Sequence, residues 1–332
     1  MKKRIHVVHY LRGMASLVVA WYHLTNTYHD GMQSSGSYGL LGVEVFFVLS
    51  GFVIPWSIET TYEAYHVKEF ANFISRRLVR IEVPYIVSIV LTLVLWHLSA
   101  VSPGFKGVPP HYTFMQIVSN IFYIVPFTGE AWFEPVYWTL AYEFAFYITI
   151  GLSFGVVLRG QQLFRYHLAS AILVLAVVAG FLSNYLLLFL MGMIVFQRIR
   201  GRLGALATFV SLVICSSAIV ITGGDLIALI GLATAAAIIF GQNFELNGVL
   251  GRSLTYLGTI SYSLYLVHVP IGGRVVNLAS RFAHGPVLHF FSSIVALVVS
   301  LISAQIFHSY VEQPALRRAQ KLKLSAIESS RD

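Results

Sequence analysis

Long apolar segments separated by short polar loops constrain this chain more than any other feature of its sequence. Of its 332 residues, 57% are hydrophobic and 11% are charged, whereas soluble domains contain about 45–50% apolar and about 25% charged residues. A soluble fold of this composition would leave too much apolar surface in water. The single cysteine and the lack of low-complexity tracts exclude disulfide scaffolds and disordered chains. The sequence therefore predicts an all-α, polytopic membrane helix bundle.

Ten segments are predicted to cross the membrane, since each is apolar and most approach the roughly 20 residues that a bilayer requires. They lie at roughly 5–24, 40–57, 83–101, 136–158, 168–182, 184–197, 205–222, 225–240, 254–271 and 287–310. An eleventh apolar segment, 113–127, is shorter and is followed by Gly129 and two acidic residues. Whether this segment spans decides the orientation of every later helix.

The distribution of basic residues decides between the two topologies, because Lys and Arg collect in cytoplasmic loops. With the N-terminus inside and 113–127 lying at the interface, 18 of the 22 Lys and Arg residues are inside and Arg12 lies within a span. The outside set is then Lys106, Arg274 and Arg281. If 113–127 crosses instead, 9 are inside and 12 outside. We therefore expect ten spans with both termini in the cytoplasm.

The same pattern sets the expected domain organisation. No hydrophilic stretch is long enough to fold alone, so residues 1–312 are expected to form one transmembrane domain and 313–332 a basic cytoplasmic tail. The basic start followed by apolar residues resembles a secretory signal. However, Arg12 interrupts the apolar stretch and no small-x-small cleavage site follows, which favours a retained first helix.

Ionisable side chains inside the predicted spans are candidate functional residues, because a charge in hydrocarbon costs at least about 2.5–3.5 kcal/mol. Arg12 and His23 share the first span, and their spacing of eleven residues places them on one helix face. In the predicted orientation Arg12 lies in the cytoplasmic half and His23 near the outer mouth. An interfacial aromatic role for His23 and a structural ion pair for Arg12 are the alternatives.

Three further groups, Glu44, Glu143 and His268, lie at the depth of His23 in this topology. Two imidazoles and two carboxylates at one depth can form an acid/base site in which a carboxylate orients a histidine. The alternative is a set of separate helix-capping and packing contacts, above all for Glu44.

The cytoplasmic side carries a second candidate site. Arg77 and Arg80 precede the third span and share a face if that segment is an α-helix. Guanidinium groups suit phosphate, although ordinary positive-inside charge explains any single arginine. In mid-membrane, Ser50-Gly51 permits close helix packing and, as a secondary use, could line a ligand channel.

Several function classes are disfavoured by missing motifs. The sequence has no zinc or iron ligand spacing, no Walker loop, no dinucleotide-binding glycine pattern and no nucleophile elbow. We therefore expect no metal, no ATP-driven machinery and no serine hydrolase. The net charge of +8 follows the positive-inside rule, so no nucleic-acid partner is expected.

Six motifs, in order along the chain, resemble those of the acyltransferase 3 family of membrane acyltransferases. They are Leu11-Arg12-Gly13 with His23, the run Gly42 to Phe52, Arg77-x-x-Arg80 with Pro84, Trp138-Thr-Leu-x-x-Glu143, Ser261-Tyr-Ser-x-Tyr-Leu-x-His268-x-Pro270, and Val311-Glu312-Gln313-Pro314. Glu44 stands where an aspartate is common in the family. No soluble esterase-like domain follows, so the chain resembles the stand-alone form.

The resemblance implies a ten-helix enzyme of the bacterial plasma (inner) membrane that moves an acyl group, most commonly acetyl, from cytoplasmic acyl-CoA to a carbohydrate hydroxyl. The acceptor could be free or lipid-linked, membrane lipid is a further partner, and oligomerisation is left open. Residues 1–312 would then be the acyltransferase domain.

On this basis His23 is predicted to act as general base with Glu143 orienting it, and a covalent acyl-histidine relay stays an alternative. The donor is expected to contact Arg12, Arg77, Arg80 and Ser50. The acceptor is expected to contact Glu44, Trp138, Tyr265 and His268.

Two other functions compete with this interpretation. A proton-coupled secondary transporter would use His23, Glu143 and His268 as proton sites and would consume no thioester. A non-catalytic carrier of undecaprenyl-linked sugars would tolerate removal of the charges at Arg77 and Arg80. This carrier is disfavoured because several charged side chains in the membrane cost free energy, and a non-catalytic protein would gain no catalytic function from them.

Overall fold

The computed structural model describes residues 5–28, 30–102, 107–158 and 163–328, the last six as backbone only. Within these residues every regular element is helical, which confirms the predicted all-α membrane fold class. Some basic residues used to predict the orientation lie outside the described residues: Lys2, Lys3, Arg4, Lys106, Arg159 and Arg331, and also the side chain of Lys323.

The α-helices of the described residues follow one another as α1 (His6–Thr25), α2 (Gly31–Gly36), α3 (Gly42–Thr61), α4 (Val67–Arg77), α5 (Val83–Ala100), α6 (Phe114–Ile121), α7 (Val125–Thr128), α8 (Trp138–Ser153), α9 (Leu163–Val178), α10 (Tyr185–Ile199), α11 (Ala205–Gly223), α12 (Asp225–Gly241), α13 (Gly248–Val267), α14 (Gly273–Ala279), α15 (Pro286–Phe307) and α16 (Gln313–Glu328). Turns of π-helix occupy Leu78–Glu82, Phe154–Leu158, His268–Gly272 and His308–Glu312.

Each of the ten predicted spans coincides with a helix: α1, α3, α5, α8, α9, α10, α11, α12, α13 and α15. In the described part of the chain, five helical stretches are long and apolar enough to cross a membrane: Gly31–Thr61, Val67–Ala100, Trp138–Leu158, Ala205–Gly223 and Pro286–Leu322. Three apolar helices, α9, α10 and α12, are shorter. The number of crossings and their orientation stay predictions.

The segment 113–127 forms two short helices, α6 and α7, in place of one long helix. The Thr113 side chain caps α6 by accepting a hydrogen bond from the Gln116 backbone N–H at 2.8 Å. Tyr123 then takes a positive φ of 58° and interrupts the helical path. An eight-residue helix is about 12 Å long, far short of the roughly 30 Å hydrocarbon core. This geometry agrees with the predicted interfacial position.

The helix predicted at 168–182 ends earlier than expected, at Val178. Gly180 adopts a left-handed φ of 80°, and the Phe181 N–H donates to the Ala176 carbonyl at 2.9 Å. This is the hydrogen-bond pattern of a glycine-terminated helix. The predicted turn at Ser183-Asn184 is therefore the second half of a turn that starts directly after Val178.

The single α-helical face predicted for Arg77 and Arg80 is interrupted. Helix α4 ends at Arg77, and the π turn Leu78–Glu82 contains Arg80. A π turn holds more residues than an α turn, so Arg80 is rotated away from the position that an unbroken α-helix would give it.

The chain divides into two compact units. The first unit comprises Met1–Leu17, Leu40–Phe73 and Phe146–Thr259, and the second comprises Val18–Gly39, Ile74–Ala145 and Ile260–Asp332. The candidate residues Arg12, Glu44 and Ser50 therefore belong to the first unit. The other candidate residues belong to the second unit.

Helices α3 and α10 pack backbone against backbone in the first unit. A Cβ atom added at Gly51 would collide with the Phe189 carbonyl, and one added at Gly192 would collide with the Val48 carbonyl and with Gly51 itself. Gly51 in the Ser50-Gly51 pair is thus a packing residue, as expected for small residues between membrane helices.

We expect Gly51→Ala to destabilise the protein, because no flexible side chain can move to accept the new methyl group. Overpacking typically costs about 1–3 kcal/mol, so the unfolding temperature in detergent should fall by several degrees. Gly273→Ala is the matched control, since Gly273 is helical and its Cβ would enter open space. Equal unfolding temperatures for the two variants would contradict this packing role.

Candidate active site

Two imidazole rings meet in the second unit. The ring centroids of His23, in the last turn of α1, and His268, in the π turn after α13, are 5.3 Å apart. The depth argument from the sequence predicts this proximity, and the geometry confirms it. The charge of His23 also acts on His268.

Helix α1, which carries His23, and helix α13, which directly precedes His268, also contact each other through two glycines. Within the first unit, α1 and α13 touch at Gly13 and Gly258, where a Cβ on Gly13 would lie 2.9 Å from the Gly258 nitrogen. Within the second unit, the same two helices bring His23 and His268 together. Each glycine precedes its histidine by ten residues, so equal lengths of chain separate the two contacts.

His268 is completely buried, with 0% exposure. Its Nδ1 lies 2.9 Å from the Leu264 carbonyl. A carbonyl can only accept, so Nδ1 carries the proton. In the neutral ring Nε2 is then an acceptor, and this atom is buried without a hydrogen-bond partner. His268 Nε2 can therefore accept a hydrogen bond, but a substrate cannot reach the buried ring in this conformation.

His23 differs from His268 because it is only half-buried. Its ring contacts are with Tyr22, at 4.9 Å between centroids, and with His268. In the described part of the chain neither of its nitrogens has a hydrogen-bond partner. His23 is therefore the imidazole of this pair that a substrate hydroxyl can approach.

Tyr265 ties the helix of His268 to the start of α8. Its hydroxyl donates to the Val136 carbonyl at 2.7 Å and makes a short hydrogen bond with the Thr139 hydroxyl. Its ring lies 6.0 Å from the ring of His268. Tyr265 thereby anchors the Trp138 motif beside the histidine pair. Its predicted contact with the acceptor stays a prediction.

Glu143 lies one helical turn beyond Thr139, on the same face of α8. Its charge acts on Tyr265, so the carboxylate lies near the junction of α8 and α13. It is half-buried and makes no hydrogen bond to His23 in the described residues. The predicted orienting role of Glu143 stays a prediction.

Trp138, at the start of α8, is half-buried, and its ring meets that of Tyr142 edge-on, with centroids 5.8 Å apart. Its position next to Thr139 brings it to the same junction with Tyr265. An aromatic face there suits the predicted contact with a sugar acceptor, which stays a prediction.

A buried carboxylate that the sequence analysis did not single out as a site residue joins the two C-terminal motifs. Glu312 is 4% exposed and accepts hydrogen bonds from Ser263 at 2.6 Å and from His308 Nδ1 at 2.9 Å. Ser263 belongs to the motif that ends in His268 and Pro270. The motif Val311-Glu312-Gln313-Pro314 therefore positions α13 through a hydrogen bond, which no pattern in a single sequence reveals.

Arg80 is the candidate donor-binding residue that the structure leaves without protein partners. It is half-buried in its π turn and makes no hydrogen bond or ion pair with the described residues. Nearby, the Ile81 carbonyl accepts from Tyr262 and the Glu82 carboxylate accepts from Tyr123 at 3.0 Å. These contacts hold the turn while the guanidinium of Arg80 stays available to an anion. Arg77 ends α4 immediately before this turn.

The first unit holds the remaining three candidates. Glu44 is 4% exposed and lies in the first turn of α3, where a carboxylate interacts favourably with the helix dipole. However, its Oε2 atom is buried without a hydrogen-bond partner among the described residues, so no capping hydrogen bond accounts for this oxygen. Ser50 and Arg12 are half-buried on α3 and α1. Their predicted contacts with a donor stay predictions.

The loop after His23 is held by a cluster that the sequence analysis missed. Asp30 caps α2 by accepting from the Met32 N–H, and its other oxygen accepts from His289 Nδ1 at 2.6 Å. The His289 ring stacks on Tyr28 at 4.1 Å between centroids. The hydrogen bond from His289 holds the pKa of Asp30 below its usual range. Within the described residues no three His, Cys, Asp or Glu side chains gather as metal ligands.

We expect Tyr265→Phe to lower stability, because the buried Val136 carbonyl loses its stronger donor. Hydrogen bonds of this kind contribute about 1 kcal/mol net, so a clear drop in unfolding temperature is predicted. Tyr310→Phe is the matched control, since Tyr310 is exposed. If Tyr265→Phe and Tyr310→Phe unfold at the same temperature, the Tyr265 hydroxyl does not anchor α8.

Comparison with known proteins identifies the family. The sequence model of the acyltransferase 3 family, described as an acyltransferase domain, matches residues 5–305. The "Exopolysaccharide production protein ExoZ" of Rhizobium meliloti (strain 1021) is 27% identical over 323 residues, covering 87% of this chain and 93% of that protein. No solved structure matches the chain significantly.

A second relative is the "Putative peptidoglycan O-acetyltransferase YrhL" of Bacillus subtilis (strain 168). It is 24% identical over 361 residues, which cover 92% of this chain and 54% of that protein. The family match spans nearly the whole chain, and the described residues contain several apolar helices of membrane-spanning length. This multi-pass membrane chain therefore belongs to the acyltransferase 3 family.

Proposed function

We propose that the protein is a membrane-bound O-acyltransferase that transfers an acetyl group from cytoplasmic acyl-CoA to a hydroxyl of a carbohydrate. The observation that carries this proposal is the histidine pair: His23 is half-buried beside the fully buried His268, and neither His23 nitrogen has a partner among the described residues. Such an imidazole is suited to accept a proton from an incoming hydroxyl.

In the proposed reaction, His23 accepts the proton of the acceptor hydroxyl while the hydroxyl oxygen attacks the thioester carbonyl. The new ester C–O bond forms, the C–S bond breaks, and the thiolate leaves with the proton from the imidazolium. His268 Nε2, which has a free lone pair in the neutral ring, supports the imidazolium from one side. Glu143 contributes its negative charge from the junction of α8 and α13.

The donor proposal rests on the unpartnered Arg80. A half-buried guanidinium that has no partner among the described residues is a ready site for a phosphate group, which it binds through charge-assisted hydrogen bonds. Acyl-CoA carries several phosphates and reaches the cytoplasmic face, where the predicted topology puts this turn. Arg77 would assist at the same surface. We propose Arg12 and Ser50 as contacts for the pantetheine or diphosphate part of the donor.

The acceptor proposal draws on the printed names of the two relatives, which refer to exopolysaccharide production and to peptidoglycan O-acetylation. Both materials are carbohydrate polymers of the bacterial envelope, so we propose a bacterial plasma membrane location and an envelope glycan acceptor, free or lipid-linked. The chain covers about half of the second relative. No observation favours the transporter alternative over this proposal.

Replacing His23 by alanine should abolish transfer while the protein still folds. Loss of a general base typically costs about 10²–10⁴ in rate. Thiol release from acetyl-CoA by purified protein, with crude envelope polysaccharide as acceptor, measures this effect. His284→Ala is the control, since His284 is exposed outside the helices. Full activity in a folded His23→Ala variant would contradict the role.

Replacing Arg80 by alanine should raise the KM for acetyl-CoA by about tenfold or more, because a hydrogen bond to a charged group contributes about 1.5–3 kcal/mol. The kcat at saturating donor should change much less. Arg252→Ala is the control, since Arg252 is an exposed arginine of the same predicted cytoplasmic surface. An unchanged donor KM in Arg80→Ala would remove this residue from the donor site.

A further inference from the structure

A rigid loop directly before α8 presents a buried acidic residue. The Asn120 side chain is completely buried; it donates to the Ala131 carbonyl and accepts from the Phe133 N–H, both at 3.0 Å. The Val136 carbonyl accepts from Tyr265 at 2.7 Å. The segment 131–136 is therefore held at both ends, and Glu134 lies between these points of attachment.

Glu134 is 6% exposed, which is unusual for a carboxylate. Its carboxylate interacts with the Thr92 hydroxyl of α5, and the positive charge of Arg274 in α14 stabilises the ionised carboxylate. Its own charge acts on the Tyr137 hydroxyl. Arg274 and Tyr137 are thus the titratable or charged groups that face it among the described residues.

The positive charge of Arg274 acts on Glu134, but the two side chains form no ion pair within the described residues. Within the described residues the Arg274 guanidinium makes no hydrogen bond or ion pair, and its Nε is buried without a partner. A half-buried guanidinium and a buried carboxylate that attract each other without forming an ion pair are costly, because neither satisfies the other directly. A ligand with both hydrogen-bond donors and acceptors would complete the pair.

Short chains of contacts and sequence link Glu134 and Arg274 to the histidine pair. The ring of His268 is 6.0 Å from that of Tyr265, whose hydroxyl is bonded to Val136, two residues from Glu134. Arg274 follows His268 by six residues, in the first turn of α14. The site therefore adjoins the position at which the proposed reaction takes place.

We propose that Glu134 and Arg274 form a subsite that binds two neighbouring hydroxyls of a neutral sugar unit in the acceptor. The carboxylate accepts a hydrogen bond from one hydroxyl, and the guanidinium donates to the oxygen of the other. This inference rests on the proposed acyltransferase function, which it deepens by naming the chemistry of the acceptor and the residues that select it.

The charges of the subsite favour a neutral occupant. A phosphate or a uronic acid carboxylate would bind Arg274 but would meet repulsion from Glu134. A sugar diol satisfies both side chains without an unpaired charge. Burial raises the pKa of the Glu134 carboxyl to about 7, so a hydroxyl donor that stabilises the ionised form would bind better above that pH.

The experiment compares Glu134→Gln, Arg274→Gln and Arg274→Lys with the wild type in lipid nanodiscs, since sugar-headed detergents would compete for the subsite. The controls are Glu63→Gln and Arg318→Gln, both at exposed positions. Thiol release is measured against acetyl-CoA and against two probes, neutral oligosaccharides and uronic acid oligosaccharides, both prepared from the envelope of the source cells.

The expected result is a rise of tenfold or more in the KM for the neutral probe with Gln at either position, at an unchanged donor KM. Arg274→Lys should be intermediate. Wild-type acceptor KM should fall as pH rises through about 7, because the carboxylate ionises there, and Glu134→Gln should remove that dependence. The proposal would be overturned if the Gln variants kept the wild-type acceptor KM, or if they lost only kcat and stability. It would also be overturned if the wild type preferred the acidic probe.

A direct binding measurement separates this inference from the proposed function. Tryptophan fluorescence is titrated with the neutral probe in wild type and in Glu134→Gln. If no thiol is released but the probe binds and Glu134→Gln weakens binding at least tenfold, the subsite stands and the acyltransferase proposal fails. If the wild type releases thiol and Glu134→Gln binds the probe equally well, the subsite fails and the function stands. No binding to the wild type overturns the subsite.

Discussion

The cost of leaving polar groups unsatisfied in apolar surroundings governs this structure. A helix satisfies its own backbone, and every regular element in the described residues is a helix. Buried polar side chains must instead find partners on other helices, and the second unit shows several such links: Tyr265 bonds to the loop before α8, and Ser263 bonds to Glu312. These links hold α13 beside α8 and beside the π turn that follows α15.

Against this background, groups without partners indicate where a ligand would bind. Within the described residues His23 and Arg80 have no hydrogen-bond partner, and Glu134 and Arg274 attract each other without forming an ion pair. Each set suits a different part of the proposed reaction: proton transfer, the phosphates of the donor, and the hydroxyls of the acceptor. The π turns add to this pattern, since Arg80 and His268 both lie in such turns, which often mark functional sites.

The helices were predictable because a bilayer demands apolar stretches of a narrow range of lengths, and all ten predicted spans coincide with helices. Their ends were less predictable, since they depend on single hydrogen bonds and backbone angles. Helix α9 stops at Val178 because Gly180 turns left-handed, and the α-helical face of Arg77 and Arg80 is lost because a π turn starts at Leu78. The meeting of His23 and His268 was predictable because depth in a membrane can be counted along a helix.

Sequence alone establishes the helical membrane fold and the family, because the bilayer fixes the length of an apolar helix and the family motifs lie in order along one chain. The depth of the two histidines in the membrane stays a prediction. Only the tertiary structure shows that Glu134 and Arg274 face each other, that Glu312 holds α13, and that Asp30 holds the loop after His23. In the sequence Glu134 and Arg274 count only as charges of two distant loops. Such pairings depend on which helices pack side by side, and that packing has no periodic signature in a single sequence.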